Sequence, residues 1–152
     1  IHDVRTCATI SKELNTLAVT VNVYDGDFWS FEVLSAGALV DKAAPRADYF
    51  AEDDESAAPL RERWRGSPPA AATALSVSAE SLEPYYRYLR PEDAPGKAFA
   101  DDQFPLEDFW VFVDMWRRMG IQYPSDPASF AGRVRLAKNF MRKLPTWEGE
   151  DL

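Results

Sequence analysis

The sequence predicts an α+β fold, in which an N-terminal antiparallel β-meander of three to four strands is packed by helices from the C-terminal two-thirds of the chain. Two observations predict it. Residues 17–41 show period-2 hydrophobic alternation interrupted by glycine turns, and the later residues show apolar positions at helical spacing between prolines and glycines. At 152 residues the chain is about one domain, so we expect residues 1–152 to form a single domain.

The meander is preceded by a short helix, predicted over residues 9–14 with Thr9 as its N-cap. The first strand covers residues 17–23, where Leu and Val alternate with smaller or polar residues. Asp25-Gly26 then suits a type I′ turn, because both central residues of that turn need positive φ. A second strand over 28–34, a turn at Ala36-Gly37 and a short strand over 38–41 complete the meander.

Helices dominate the remaining sequence. Residues 42–58 are expected to form a polar loop with a solvated acidic run, and helices are predicted after it over residues 59–65, 67–75, 78–90, 105–119 and 128–144. The helix over 105–119 carries apolar residues around most of its circumference. We therefore expect it to be the central buried helix, with Phe109 and Trp110 in the core. The last helix has an apolar face opposite its basic residues.

The composition excludes several kinds of chemistry. His2 is the one histidine and Cys7 the one cysteine, which removes Ser-His-Asp and Cys-His catalysis, histidine-based zinc motifs and internal disulfides. No glycine-rich phosphate loop is present, and we expect no cofactor and no bound metal. No apolar run is long enough to span a bilayer. We expect a soluble cytoplasmic protein that does not engage a membrane.

The charge distribution favours a protein partner over nucleic acid. The net charge is −8, and acidic residues prevail before residue 117, whereas basic residues prevail over 117–144. An acidic body argues against non-specific binding to nucleic acid and favours a basic partner. The basic terminal helix leaves open a third role, a regulatory or structural subunit that docks through this helix.

Two segments combine acidic and aromatic residues as a binding surface does. The candidate partner-binding residues, from the first hairpin and from the loop after the meander, are Asp25, Asp27, Trp29, Tyr49, Phe50, Asp53 and Asp54. Strand alternation puts Trp29 on the face opposite Phe28, so one of these rings is expected in the core while the other is free to be exposed. Turn chemistry and loop anchoring are the plainer roles for these residues.

Paired carboxylates leave an enzyme as the alternative. Asp25 with Asp27, or Asp101 with Asp102, could share general acid and base roles or bind a divalent metal. Turn formation is the ordinary role of the first pair, and helix capping that of the second.

Several runs resemble a group of small bacterial proteins of unassigned function. They are DGDFW at 25–29, EVL at 32–34, GALVD at 37–41, ADYF at 47–50, PGKAFADDQF at 95–104, FW at 109–110 and MGIQYP at 119–124. Some such small acidic α+β proteins resemble immunity proteins of bacterial toxin–immunity systems. The resemblance covers residues 15–125 and implies a non-catalytic protein that neutralises a toxin by direct contact. The basic terminal helix lies outside it.

Overall fold

A three-stranded antiparallel sheet organises the computed structural model, which describes residues 4–121. The strands follow one another in the order β1-β2-β3, so the predicted meander and the α+β class are confirmed. The elements are α1 (Val4–Glu13), β1 (Leu17–Tyr24), β2 (Phe28–Ser35), β3 (Ala38–Ala43), α2 (Asp54–Arg63), α3 (Pro68–Leu75), two 3-10 turns (Ala79–Ser81 and Glu83–Tyr86) and α4 (Val111–Arg118).

Both hairpins turn through residues with positive φ. At the first, Asp25 has φ of 54° and Gly26 of 82°, the pair of values that a type I′ turn requires, which confirms the prediction. Val23 pairs with Trp29, and Tyr24 pairs with Phe28 across this turn. At the second, a Cβ on Gly37 would lie 2.7 Å from Cβ of Lys12. Glycine is therefore needed there both for its φ and for the close approach of α1.

The middle strand β2 is buried on both faces. On one face Trp29, Phe31 and Val33 are 5%, 1% and 0% exposed and belong to the main core. On the other face Phe28 is 8% exposed and packs with two alanines of the loop after β3 and with Trp64. The expectation that Trp29 is a surface anchor at the hairpin tip is therefore wrong, because the later helices cover its face of the sheet.

The main core joins that face of the sheet to the later helices. Helix α4 contributes Val111, Phe112 and Met115, and the segment around the 3-10 turns contributes Leu82 and Tyr85. Helix α1 contacts all three strands but contributes no residue to this core.

The helix predicted over 105–119 is shorter than expected, since it begins only at Val111. Before that point the backbone forms isolated turns, and the Asp108 carboxylate accepts the Trp110 N–H at 2.8 Å. This local bond competes with helical hydrogen bonding. Trp110 consequently sits at the helix start and is 39% exposed, so its expected core position is wrong, whereas Phe109 is half-buried against the core.

Local capping and proline placement explain the other differences. Asp53 and Ser56 form a reciprocal capping box, so α2 starts at Asp54, within the segment expected to be a loop. The helix predicted over 78–90 is instead two short 3-10 turns, the second of which contains Pro84. Proline has no N–H to donate to a continuing helix. The helix predicted over 128–144 lies outside the described residues, as does His2.

Candidate functional site

The hairpin tip and the loop after β3 form one exposed aromatic cluster. The ring of Phe50 lies 5.0 Å from that of Tyr24, 5.5 Å from that of Phe28 and 4.9 Å from that of Tyr49, measured between centroids. Tyr24, Tyr49 and Phe50 are 51%, 39% and 57% exposed, whereas Phe28 beneath them is buried. With the two carboxylates of the turn they form a surface that we call the tip patch: Tyr24, Asp25, Asp27, Tyr49 and Phe50.

Local structure holds this arrangement in place. The type I′ turn pairs Tyr24 with Phe28 at the end of the hairpin. The following loop is fixed by Asp48, whose Oδ2 accepts hydrogen bonds from Nε of Arg61 at 2.6 Å and from the Tyr88 hydroxyl at 2.7 Å. Partial burial pushes the pKa of Asp48 up, but these two hydrogen bonds outweigh it and lower the pKa below its usual value. Because Asp48 is fixed, the next residues are presented to the hairpin tip.

The carboxylates of the tip patch lack a cationic partner among residues 4–121. No Lys or Arg nitrogen of that part lies within ion-pair distance of either Asp25 or Asp27. The nearest contact is from Arg46, which donates to the backbone carbonyl of Asp27 at 3.4 Å. The Tyr49 hydroxyl donates to Oδ2 of Asp27, also at 3.4 Å. Partial desolvation and the Asp27 charge raise the pKa of Tyr49.

Asp53 and Asp54 have different surroundings, although both were predicted to bind a partner. Oδ1 of Asp53 accepts the N–H of Ser56 at 2.8 Å, and the hydrogen bonds from Ser56 lower the pKa of Asp53. Asp53 is thus engaged as the cap of α2. Asp54 projects into solvent and lies 3.7 Å from Nη2 of Arg61. Both line a shallow cleft whose other charged residues are Asp48, Glu52 and Arg61.

Asp101 and Asp102 form a structural cluster with two arginines. The side chain of Asp102 is fully enclosed. Its Oδ2 accepts from the Tyr85 hydroxyl at 2.8 Å, and its Oδ1 accepts from Arg118 at 2.7 Å and from Arg117 at 3.1 Å. The side chain of Asp101 is exposed and pairs with the same two arginines. With both of its oxygens occupied and enclosed, Asp102 presents no open carboxylate on which a substrate or metal could dock, and the exposed carboxylate of Asp101 is paired with the two arginines.

A second cleft is open and carries charges of both signs. It measures about 630 Å³, and its lining includes Arg65, Arg87, Glu80 and Glu83. Tyr86 also lines it, and the Tyr86 hydroxyl donates inward to the buried Asp41 at 2.7 Å. The cleft therefore contains ordinary surface charges and a structural tyrosine, without a nucleophile paired to a base.

Two features of the structure were not predicted from the sequence. Tyr24 was not predicted as a partner-binding residue, although its position directly before Asp25-Gly26 makes it the cross-strand neighbour of Phe28. The second feature is a set of tyrosine–aspartate hydrogen bonds, which join residues 17, 45 and 40 positions apart. No local pattern indicates such contacts.

Within residues 4–121 there is no group of three or more His, Cys, Asp or Glu side chains that could hold a metal ion. None of the helices in that part is long and apolar enough to cross a bilayer. Comparisons of the chain with protein-family models, with curated proteins and with solved structures found no match. The resemblance to immunity proteins therefore stays a prediction.

Proposed function

We propose that this chain is a non-catalytic cytoplasmic binding protein that docks on a basic protein through the tip patch, and that the partner is a bacterial toxin that it neutralises. One observation carries the proposal: three neighbouring aromatic side chains are exposed beside two carboxylates that lack a cation in the described part of the chain. Large aromatic rings in a ring of polar groups are typical anchors of protein interfaces.

The tip patch supplies both components of such an interface. An aromatic side chain buries about 150–250 Å² when it is fully covered, and about half of that area is still exposed on each of the three rings. Together they can therefore supply roughly a third of the roughly 800 Å² that one partner buries in a standard interface. The exposed acidic residues 52–55 extend the surface on the α2 side. They would steer a positively charged partner and raise its association rate at low salt.

The toxin hypothesis rests on the sequence resemblance together with the charge. A toxin that acts on nucleic acid presents a basic surface, because it must bind phosphates. An acidic inhibitor can cover such a surface. The lone cysteine supports a location in a reducing compartment. The enzyme alternative loses the Asp101–Asp102 pair, since Asp102 is enclosed, and rests on Asp25 with Asp27. The predicted basic helix of the third alternative lies outside the described residues.

The proposal is tested by affinity capture with matched variants. The full chain is immobilised as wild type, as Phe50→Ala and as the Asp25→Asn/Asp27→Asn double variant. Asparagine tolerates the positive φ of position 25, so the turn is kept while the charge is removed. Leu39→Ala is the control, because Leu39 is 51% exposed on β3 and is not part of the tip patch.

The source cell lysate should yield a basic protein that wild type and Leu39→Ala retain and that both patch variants lose. Co-expression of the chain with that protein should then restore growth if the partner is a toxin. Retention of the same proteins by all variants would refute the role of the tip patch. A captured partner that is harmless when expressed alone would refute the toxin hypothesis and leave the binding function.

A further inference from the structure

We propose, resting on this proposed function, that the group of the partner that the tip patch recognises is an arginine side chain. Its guanidinium would lie over an exposed aromatic ring of the patch and pair with the carboxylates of Asp25 and Asp27. The proposal follows from how this chain combines aromatic rings, carboxylates and cations elsewhere in its own structure.

At two other places an arginine of this chain lies over an aromatic ring and also pairs with a carboxylate. Arg61 lies with its guanidinium carbon 5.2 Å from the ring centre of Tyr88 while its Nε donates to Asp48. Arg118 lies 4.3 Å from the ring centre of Phe99 while it donates to Asp102. In both places, one guanidinium lies over the ring and also donates to the carboxylate. It can do both because it is planar and carries several N–H donors.

The tip patch also combines rings with carboxylates, but no arginine of the described part occupies it. The neighbouring Arg46 reaches the Asp27 carbonyl and neither carboxylate. Asp25 and Asp27 are exposed at the end of the hairpin, beside rings whose planes meet at 62–85°. In such edge-to-face pairs one face of a ring contacts its neighbour, which leaves other ring surface accessible to a cation. The position that Arg61 and Arg118 fill elsewhere is therefore available to a partner.

A lysine ammonium is the competing ligand. Lys42 already lies 4.5 Å from the ring centre of Trp64, so this chain also uses an ammonium over a ring. The guanidinium differs because it stacks flat on a ring and can give two parallel hydrogen bonds to a carboxylate, whereas an ammonium acts as a point charge. At an exposed site a whole cation–π contact corresponds to roughly a two- to five-fold change in affinity, so we expect arginine to bind more tightly than lysine by up to about five-fold.

The test uses three short peptides with blocked ends: Gly-Arg-Gly-Arg-Gly, its lysine counterpart and its citrulline counterpart. Citrulline keeps the planar shape of arginine and removes its charge. Each peptide is titrated into the full chain at low salt while backbone amide NMR signals are recorded. The arginine peptide should shift the signals of residues 24–27 and 49–50, bind more tightly than the lysine peptide by up to about five-fold, and lose affinity as salt rises. The citrulline peptide should leave these signals unchanged.

Variants separate the contributions of ring and charge. Phe50→Ala should remove the preference for arginine over lysine, while Asp25→Asn/Asp27→Asn should weaken both peptides and flatten the salt dependence. Leu39→Ala and Glu92→Gln, which alter exposed residues outside the patch, should leave both affinities unchanged. Arg46→Gln should leave the arginine preference in place. Unchanged amide dispersion in each variant shows that the fold is kept.

Equal affinity for the arginine and lysine peptides would overturn the inference, and so would shifts that map to Asp101 and Asp102. If a partner is captured through the tip patch yet the peptides show no arginine preference, only this inference falls. If the peptides bind as described but no captured protein depends on the patch, the proposed function falls.

Discussion

Replacing Tyr86 by phenylalanine should destabilise the fold more than the same change at Tyr88. The two hydroxyls make equivalent hydrogen bonds, each to an aspartate carboxylate at 2.7 Å. They differ in burial, because Tyr86 is 9% exposed and Tyr88 is 36% exposed. They also differ at the acceptor, because Oδ2 of Asp48 keeps its Arg61 donor when the Tyr88 hydroxyl is removed, whereas Oδ2 of Asp41 loses its donor. The two variants therefore compare a buried acceptor left without a donor with a more accessible acceptor that keeps one.

The magnitudes follow from what each change leaves behind. Tyr86→Phe strips Oδ2 of Asp41 of its donor, while Oδ1 keeps only the Ser67 N–H at 2.9 Å. A hydrogen bond to a charged group contributes about 1.5–3 kcal/mol, and an unsatisfied buried acceptor adds to its loss. We expect about 2–3 kcal/mol for Tyr86→Phe. For Tyr88→Phe we expect about 0.5–1 kcal/mol, because water can replace the hydroxyl.

Urea denaturation of the three proteins, followed by tryptophan fluorescence, measures both free energies of unfolding. For a chain of this length 1 kcal/mol corresponds to roughly 2–4 °C in Tm, so Tyr86→Phe should lower Tm by about 6 °C and Tyr88→Phe by about 2 °C. Equal losses in the two variants, with unchanged m values, would show that a buried acceptor left without a donor costs no more than an accessible one that keeps a donor, and would refute the reasoning.

Three further outcomes are expected. Gly26→Val should destabilise the fold by roughly 1 kcal/mol or more, because a side chain at φ of 82° strains the backbone. A steric clash does not contribute, since a Cβ there would meet Phe109 at an ordinary contact distance of 3.6 Å. An unchanged melting temperature would contradict the type I′ turn. Phe31→Ala should destabilise the fold by about 3–5 kcal/mol and Trp110→Ala by less, because Phe31 is 1% exposed and Trp110 is 39% exposed. If chemical denaturation ranks the two losses in the reverse order, the core assignment is wrong. Since the pKa of Asp48 is lowered on folding, its contribution to stability should be present above about pH 4 and lost as the pH falls through the folded-state pKa. Asp48→Asn should therefore reduce the acid dependence of unfolding, and an identical pH profile would exclude Asp48 as a contributor.

Features that depend on neighbouring residues could be predicted from the sequence. Strand alternation and the Asp25-Gly26 turn predicted the meander, since a type I′ turn and the period of a strand are local properties of the backbone. Tyr49 and Phe50 were candidates for exposed binding residues because they lie in a polar, acidic segment, with loop anchoring as the alternative, and both are exposed.

Which candidate residues lie close together in the fold could not be predicted from the sequence. Trp29 belongs to the core because helices from distant sequence cover its face of β2, and alternation alone cannot say whether one face or both are covered. Tyr24 joins Tyr49 and Phe50 because Asp48 is held by Arg61 and the loop is thereby brought to the hairpin tip. Asp102 became enclosed through arginines 15 and 16 residues away. The burial of a residue and its ion pairs depend on contacts with residues far away in the sequence, so they are known only once the fold is known.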